Sequence, residues 1–231
     1  MEKFFKIQSN GQARYAHIYN IDRDNYEEIK CNECMISTYI FKENIKLVVE
    51  KREAKKKAGF GDLVSCASMM NACIVSQKLF DIINNNDCAF KTLNVEFYNE
   101  DGSLILPNQN YYLIYDFMSV NIDENKINFP LFCCSKCGGK HIDFERHELS
   151  ARRDIFLNEY KPLPNIFVIE NEFTRARFVN ESTMRNIIEA NCKNIYAKFG
   201  QRASGSFAEF FYGKNLKKVL NCEFTDINND D

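Results

Sequence analysis

Two short stretches of this sequence have the residue types and spacing of a chemical site. They are Cys31-Asn32-Glu33-Cys34, and Cys134-Ser135-Lys136-Cys137 followed by Gly138 and Gly139. A two-residue spacer lets both thiolates of a turn face one ion while backbone N–H groups turn toward the sulfurs. A glycine after the second Cys supplies the positive φ that such a turn needs. Two such turns meeting in space make a closed tetrahedral site, so Cys31, Cys34, Cys134 and Cys137 are the expected ligands of one structural zinc. Residues 35–133 separate the two pairs, far more than in an ordinary zinc ribbon, and Met35 stands where the first turn would have its glycine. Unrelated reduced thiols are the plain alternative. A dithiol redox site fits less well, because neither CxxC sits between a strand and a helix in thioredoxin fashion.

The rest of the sequence offers no recognisable catalytic pattern. It contains no phosphate-cradling glycine loop, nucleophile elbow or HExxH helix. Of the three histidines, His141 and His147 follow the second CxxC, and His17 lies in an alternating stretch beside aromatics, where a half-buried strand residue is expected. A Cys133–His141 nucleophilic pair, or His141 replacing one zinc cysteine, is conceivable but ranks below the four-cysteine reading. Cys133 adjoins Cys134 and, in an extended segment, points the other way, as a packing thiol would. The carboxylates form no acid/base pattern, so a non-enzymatic binding protein is expected.

Composition agrees with an ordinary globular protein: 45% apolar, 27% charged and a formal charge of −2. That charge gives no reason to expect nucleic acid as a general partner. No apolar run approaches the ~18 residues of a membrane span, and the first residues lack a signal-peptide core. Ten cysteines without a secretory signal read as reduced thiols plus a metal site, hence a cytoplasmic protein.

The elements that must position the cysteines can be read in outline. Residues 3–8 and 13–19 look like two strands joined by a turn at Asn10-Gly11, and Ile36 to Val49 supplies one or two more. The charge run Glu50 to Lys57 reads as a solvated loop or helix end. Two later stretches resemble each other. Ile74-Val75-Ser76 leads into a helix with Leu79, Phe80 and Ile83 at helical spacing, then a strand over 93–98. Phe178-Val179-Asn180 leads into a helix with Met184, Ile187 and Ile188, then a strand over 194–199. Ser76 and Asn180 are placed to cap those helices, and Cys88 and Cys192, thirteen positions after Val75 and Val179, read as matched buried residues rather than ligands. Further strands are expected over 111–117 and 165–169, a helix around Phe207 to Phe211, and a frayed polar end.

The fold class is therefore α+β, with mixed, mostly antiparallel sheets, two related β–α–β elements, and a knuckle pair joining the N-terminal strands to the central block. The expected organisation is a β region over 1–59 with the first CxxC, an α+β body over 60–199 with the second, and a helix and tail over 200–231, all in one compact domain.

The order of these features resembles the double-CXXCG family of bacterial immunity proteins, which guard cells against their own contact-delivered polymorphic toxins. The residues that carry the likeness are the two CxxC motifs, Phe60-Gly61-Asp62-Leu63, the Ile-Val-Ser helix start, the Phe167-Val168-Ile169 strand and the Phe178-Val179-Asn180-Glu181 helix start. The likeness spans about Phe4 to Phe199. It implies a small cytosolic protein that binds one cognate toxin domain and neutralises it. Beside it stand a zinc-ribbon nucleic-acid binder or regulator, suggested by the knuckles and Lys51–Lys57, and a thiol or zinc enzyme using Cys133, Cys134 or Cys137 with His141.

Overall fold

A computed structural model of the chain describes residues 4–9, 14–18, 23–35, 37–64, 72–84, 89–120, 131–138, 140–142, 163–169, 177–199 and 220. In chain order its strands are β1 (Phe4–Ser9), β2 (Tyr26–Lys30), β3 (Ser37–Phe41), β4 (Ile45–Val49), β5 (Leu63–Val64), β6 (Ala72–Ser76), β7 (Lys91–Asn99) and β8 (Leu104–Ile105). They continue with β9 (Tyr111–Tyr115), β10 (Ser119–Val120), β11 (Leu131–Cys133), β12 (Lys140–Ile142), β13 (Ile166–Ile169), β14 (Arg177–Asn180) and β15 (Ile195–Phe199). The helices are α1 (Lys51–Ala54), α2 (Gln77–Ile83) and α3 (Glu181–Glu189). None of these helices is long and apolar enough to cross a membrane.

The fold is α+β, and its two large sheets are built on the same plan. One runs β5-β6-β9-β7-β4 with β8 on β7, and the other β10-β13-β14-β1-β15. In the first, α2 connects β6 to β7, and β9 stands between those strands, antiparallel to both. In the second, α3 connects β14 to β15, and β1 stands between them, again antiparallel to both. Each unit is a split β–α–β element, and β5 and β13 occupy matching places as antiparallel neighbours of β6 and β14.

Local chemistry sets both helix starts. Ser76 and Asn180 hold extended backbones, and their side chains accept from the amides of Leu79 and Thr183. A cap of this kind is worth about 1 kcal/mol. At the far end of α3, Asn191 takes φ 52°. Its amide donates to the Ile188 carbonyl and that of Cys192 to Ile187, closing the helix with both bonds of a left-handed cap. The apolar stripes Leu79/Ile83 and Met184/Ile187 meet in one core with Phe5, Ile7, Val75, Val179 and Ile195. A second core lies against the opposite face of the first sheet, where Phe60 stacks on Phe97 at 4.1 Å among Leu47, Ile74 and Leu113.

The two units are locked together at Asp62, which is 2% exposed. Its carboxylate accepts from the Ser76 hydroxyl at 2.6 Å and the Lys193 amide at 2.5 Å, and faces Lys78 Nζ at 2.9 Å. Its own amide donates to the Lys193 carbonyl, and Asn194 Nδ2 donates to Leu63 O at 2.7 Å. Gly61 has φ +74°, and a Cβ there would lie 2.5 Å from that of Asn194, so no other residue fits this junction. The Phe60-Gly61-Asp62-Leu63 phrase is thus the seam between the two units.

Two expectations need correction. Phe4–Ser9 is a strand, but it does not form a hairpin with residues 13–19: Arg14 to His17 are not strand, and Ile18 makes only an isolated bridge. The partners of β1 are β14 and β15, whose apolar faces offer it a buried central position that a local hairpin could not. The charge run is not all solvated either. Glu53 of α1 is 3% exposed, accepts from the His17 amide at 2.9 Å and lies 3.7 and 3.8 Å from Arg52 and Lys56. The expected Asn10-Gly11 turn, Cys88, His147 and the helix around Phe207 to Phe211 lie outside the described residues.

Candidate metal centre

Each CxxC is the tip of a two-stranded hairpin. The first joins β2 to β3 and the second joins β11 to β12. The closing pairs correspond: Lys30 opposite Ser37 in one, Cys133 opposite Lys140 in the other. In both tips the residue after the second cysteine donates its amide back to the first cysteine's carbonyl at 2.9 Å, Met35 to Cys31 and Gly138 to Cys134. Both of those residues are left-handed, at φ 63° and φ 71°. Met35 therefore takes the glycine conformation without being glycine, and the two knuckles have one shape.

The knuckles face each other. The sulfurs of Cys31, Cys34, Cys134 and Cys137 all lie within 4.8 Å of one another. Cys31 Sγ stands 3.8 Å from Cys134 Sγ, and Cys34 Sγ 3.5 Å from Cys137 Sγ. Four sulfurs held tetrahedrally at about 2.3 Å from a zinc ion are about 3.8 Å apart, so this donor set fits that ion with little movement. Residues far apart in sequence are thus brought together at two hairpin tips that bracket β4 to β10 and could hold one metal ion.

The spacer residues brace the tips. Ser135 Oγ donates to both Glu33 carboxylate oxygens at 3.0 and 3.1 Å, and Lys136 Nζ donates to Asn32 Oδ1. No feature of the sequence announces this cross-pairing, because it depends on two loops meeting. The amides of Cys34 and Glu33 turn toward the Cys31 sulfur and pull its pKa down to about 6. The matching amides of Cys137 and Lys136 turn toward Cys134, but burial and the bond with the Cys137 sulfur outweigh them and raise that thiol. Of the two, Cys31 gives up its proton first, and neighbours that stabilise a thiolate are what a metal ligand needs.

The other candidates fall elsewhere. Cys133 is exposed on β11, with its S–H toward Gly138 O at 3.7 Å rather than toward the cluster. Cys192 is buried in the shared core, where desolvation and the charge of Asp62 push its thiol up to about 12, so it is no ligand or nucleophile. His17 is half-buried beside α1. His141 lies on β12, opposite Phe132.

No protein-family model matches the sequence, and no curated protein matches it.

Proposed function

We propose that the protein is a non-enzymatic immunity protein that binds and neutralises a cognate bacterial toxin domain, with one structural zinc held by Cys31, Cys34, Cys134 and Cys137. The observation that carries the metal part is the convergence of four sulfurs within 4.8 Å at two matching hairpin tips. A four-thiolate site is closed, with no position left for substrate, and serves to hold a scaffold. The toxin part is supported by the order of motifs along the chain, from the first CxxC to the Phe178-Val179-Asn180-Glu181 helix start. Its test is coexpression with the toxin encoded beside it. Rescue of growth and a stoichiometric complex on gel filtration are expected, and neither rescue nor complex would sink the reading.

A second reading, a nucleic-acid-binding or regulatory zinc ribbon, draws on the hairpin form of both knuckles and on the exposed Lys51 of α1 with Lys55 and Lys57 just after it. Binding of DNA or RNA that weakens steeply with salt would favour it.

A further inference from the structure

We propose that the four knuckle thiols form a redox switch whose oxidised state is cross-linked between the tips, Cys31 to Cys134 and Cys34 to Cys137. This rests on the metal-centre reading and adds to it what the same residues do when an oxidant reaches them. Each cross pair is already close, at 3.8 and 3.5 Å, against about 2.05 Å in a disulfide. The tips are held in register by Glu33 with Ser135 and Asn32 with Lys136, none of which is a ligand. The four sulfurs lie within 4.8 Å of one another, so a short movement of the sulfurs brings either cross pair to bonding distance.

Burial orders the steps. Cys137 is exposed, Cys31 and Cys34 are partly so and Cys134 is buried, so Cys137 meets an oxidant first and its pair with Cys34 forms first. With a hydroperoxide as oxidant, the Cys137 thiolate attacks its terminal oxygen, forming a sulfenic acid as the O–O bond breaks and the rest of the oxidant leaves as an alkoxide, or as hydroxide from hydrogen peroxide. The Cys34 thiolate then attacks that sulfur and expels hydroxide. The inner pair reacts likewise. In total four thiolates give up four electrons to two hydroperoxide molecules, leaving two disulfides, and the zinc ion, with no thiolate to bind, is released. Each cross bond joins residues 103 apart and so keeps the clamp shut, whereas a bond within one CxxC would leave the tips unjoined.

The test uses the full chain. Zinc is measured in the purified protein, hydrogen peroxide is added, and zinc release, free thiols, disulfide positions by non-reducing peptide mapping and melting temperature are followed together. One zinc lost with four thiols, mapped bonds 31–134 and 34–137, and a melting temperature that collapses only after a dithiol reductant plus chelator are expected. The C133S protein should behave identically. Bonds mapped 31–34 or 134–137, a bond to Cys133, or thiols ending as sulfinic acids would overturn the switch. Zinc absent from the starting protein with cross bonds still formed would sink the metal reading and leave the switch standing.

Discussion

Met35 and Gly138 hold the same place in two matching knuckles, at φ 63° and φ 71°, one with a side chain and one without. A left-handed conformation costs a residue with a Cβ about 1 kcal/mol, so the first knuckle is strained and the second is not. The Met35 side chain is 59% exposed and offers little packing in return. Met35→Gly should stabilise the protein by about 0.5–1 kcal/mol. Gly138→Ala should destabilise it by about 1 kcal/mol, through backbone strain alone, since nothing lies within 4 Å of a Cβ there. Opposite shifts in urea midpoint check the pair, and equal shifts would mean that the tips differ in shape.

Cys31→Ser and Cys134→Ser each remove one donor from the clamp. Each should lower unfolding free energy by about 3 kcal/mol or more. Chelation of the unaltered protein should reproduce that loss and add little in the substituted proteins. Denaturant melts with and without chelator measure this, and unchanged melts in both substituted proteins would refute a metal clamp.

Asp62 should matter as much, without any metal. Asp62→Ala strands the buried Ser76 hydroxyl and the Lys193 amide, while the Lys78 ammonium, 39% exposed, turns to water, a loss of about 2–4 kcal/mol. Asp62→Asn keeps the shape and part of the bonding and should cost less. Zinc content should be unchanged in whatever folds, which separates this seam from the knuckles. A loss below 1 kcal/mol in Asp62→Ala would show the seam to be dispensable.

In protein stripped of metal, the Cys31 thiol should make stability depend on pH. Its folded pKa is about 6, below the ordinary thiol value of 9.0, because amides of its own turn face the sulfur. A group whose pKa is lowered on folding adds stability that is complete above the unfolded value and is lost as pH falls through the folded one. The contribution should therefore fade between about 9 and about 6. Alkylation rates at this thiol, followed by peptide mass, should titrate with a midpoint near 6, and a midpoint near 9 would contradict the turn geometry.

Features coded by neighbouring residues were legible in the sequence. Both helices begin where Ser76 and Asn180 were expected to cap them. The four cysteines meet despite the long separation, because a CxxC turn carries its own geometry. What escaped the sequence was pairing at a distance. The Asn10-Gly11 signal argued for a local hairpin, yet β1 lies between β14 and β15. Glu53, set in a row of lysines, looked solvated and is buried against the His17 amide. Nothing near Asp62 pointed to Lys193, 131 residues away.

The place of β1 between β14 and β15 also bears on how the chain is made. Phe4, Phe5 and Ile7 leave the ribosome long before the residues they pair with, which lie within 177–199. The knuckles impose the same delay, since the first hairpin waits for Cys134 and Cys137. Pairings of such high sequence separation form slowly, and until then an apolar strand with two open edges stands unpaired. β1 is therefore a segment that depends on shielding during translation until β14 and β15 are made.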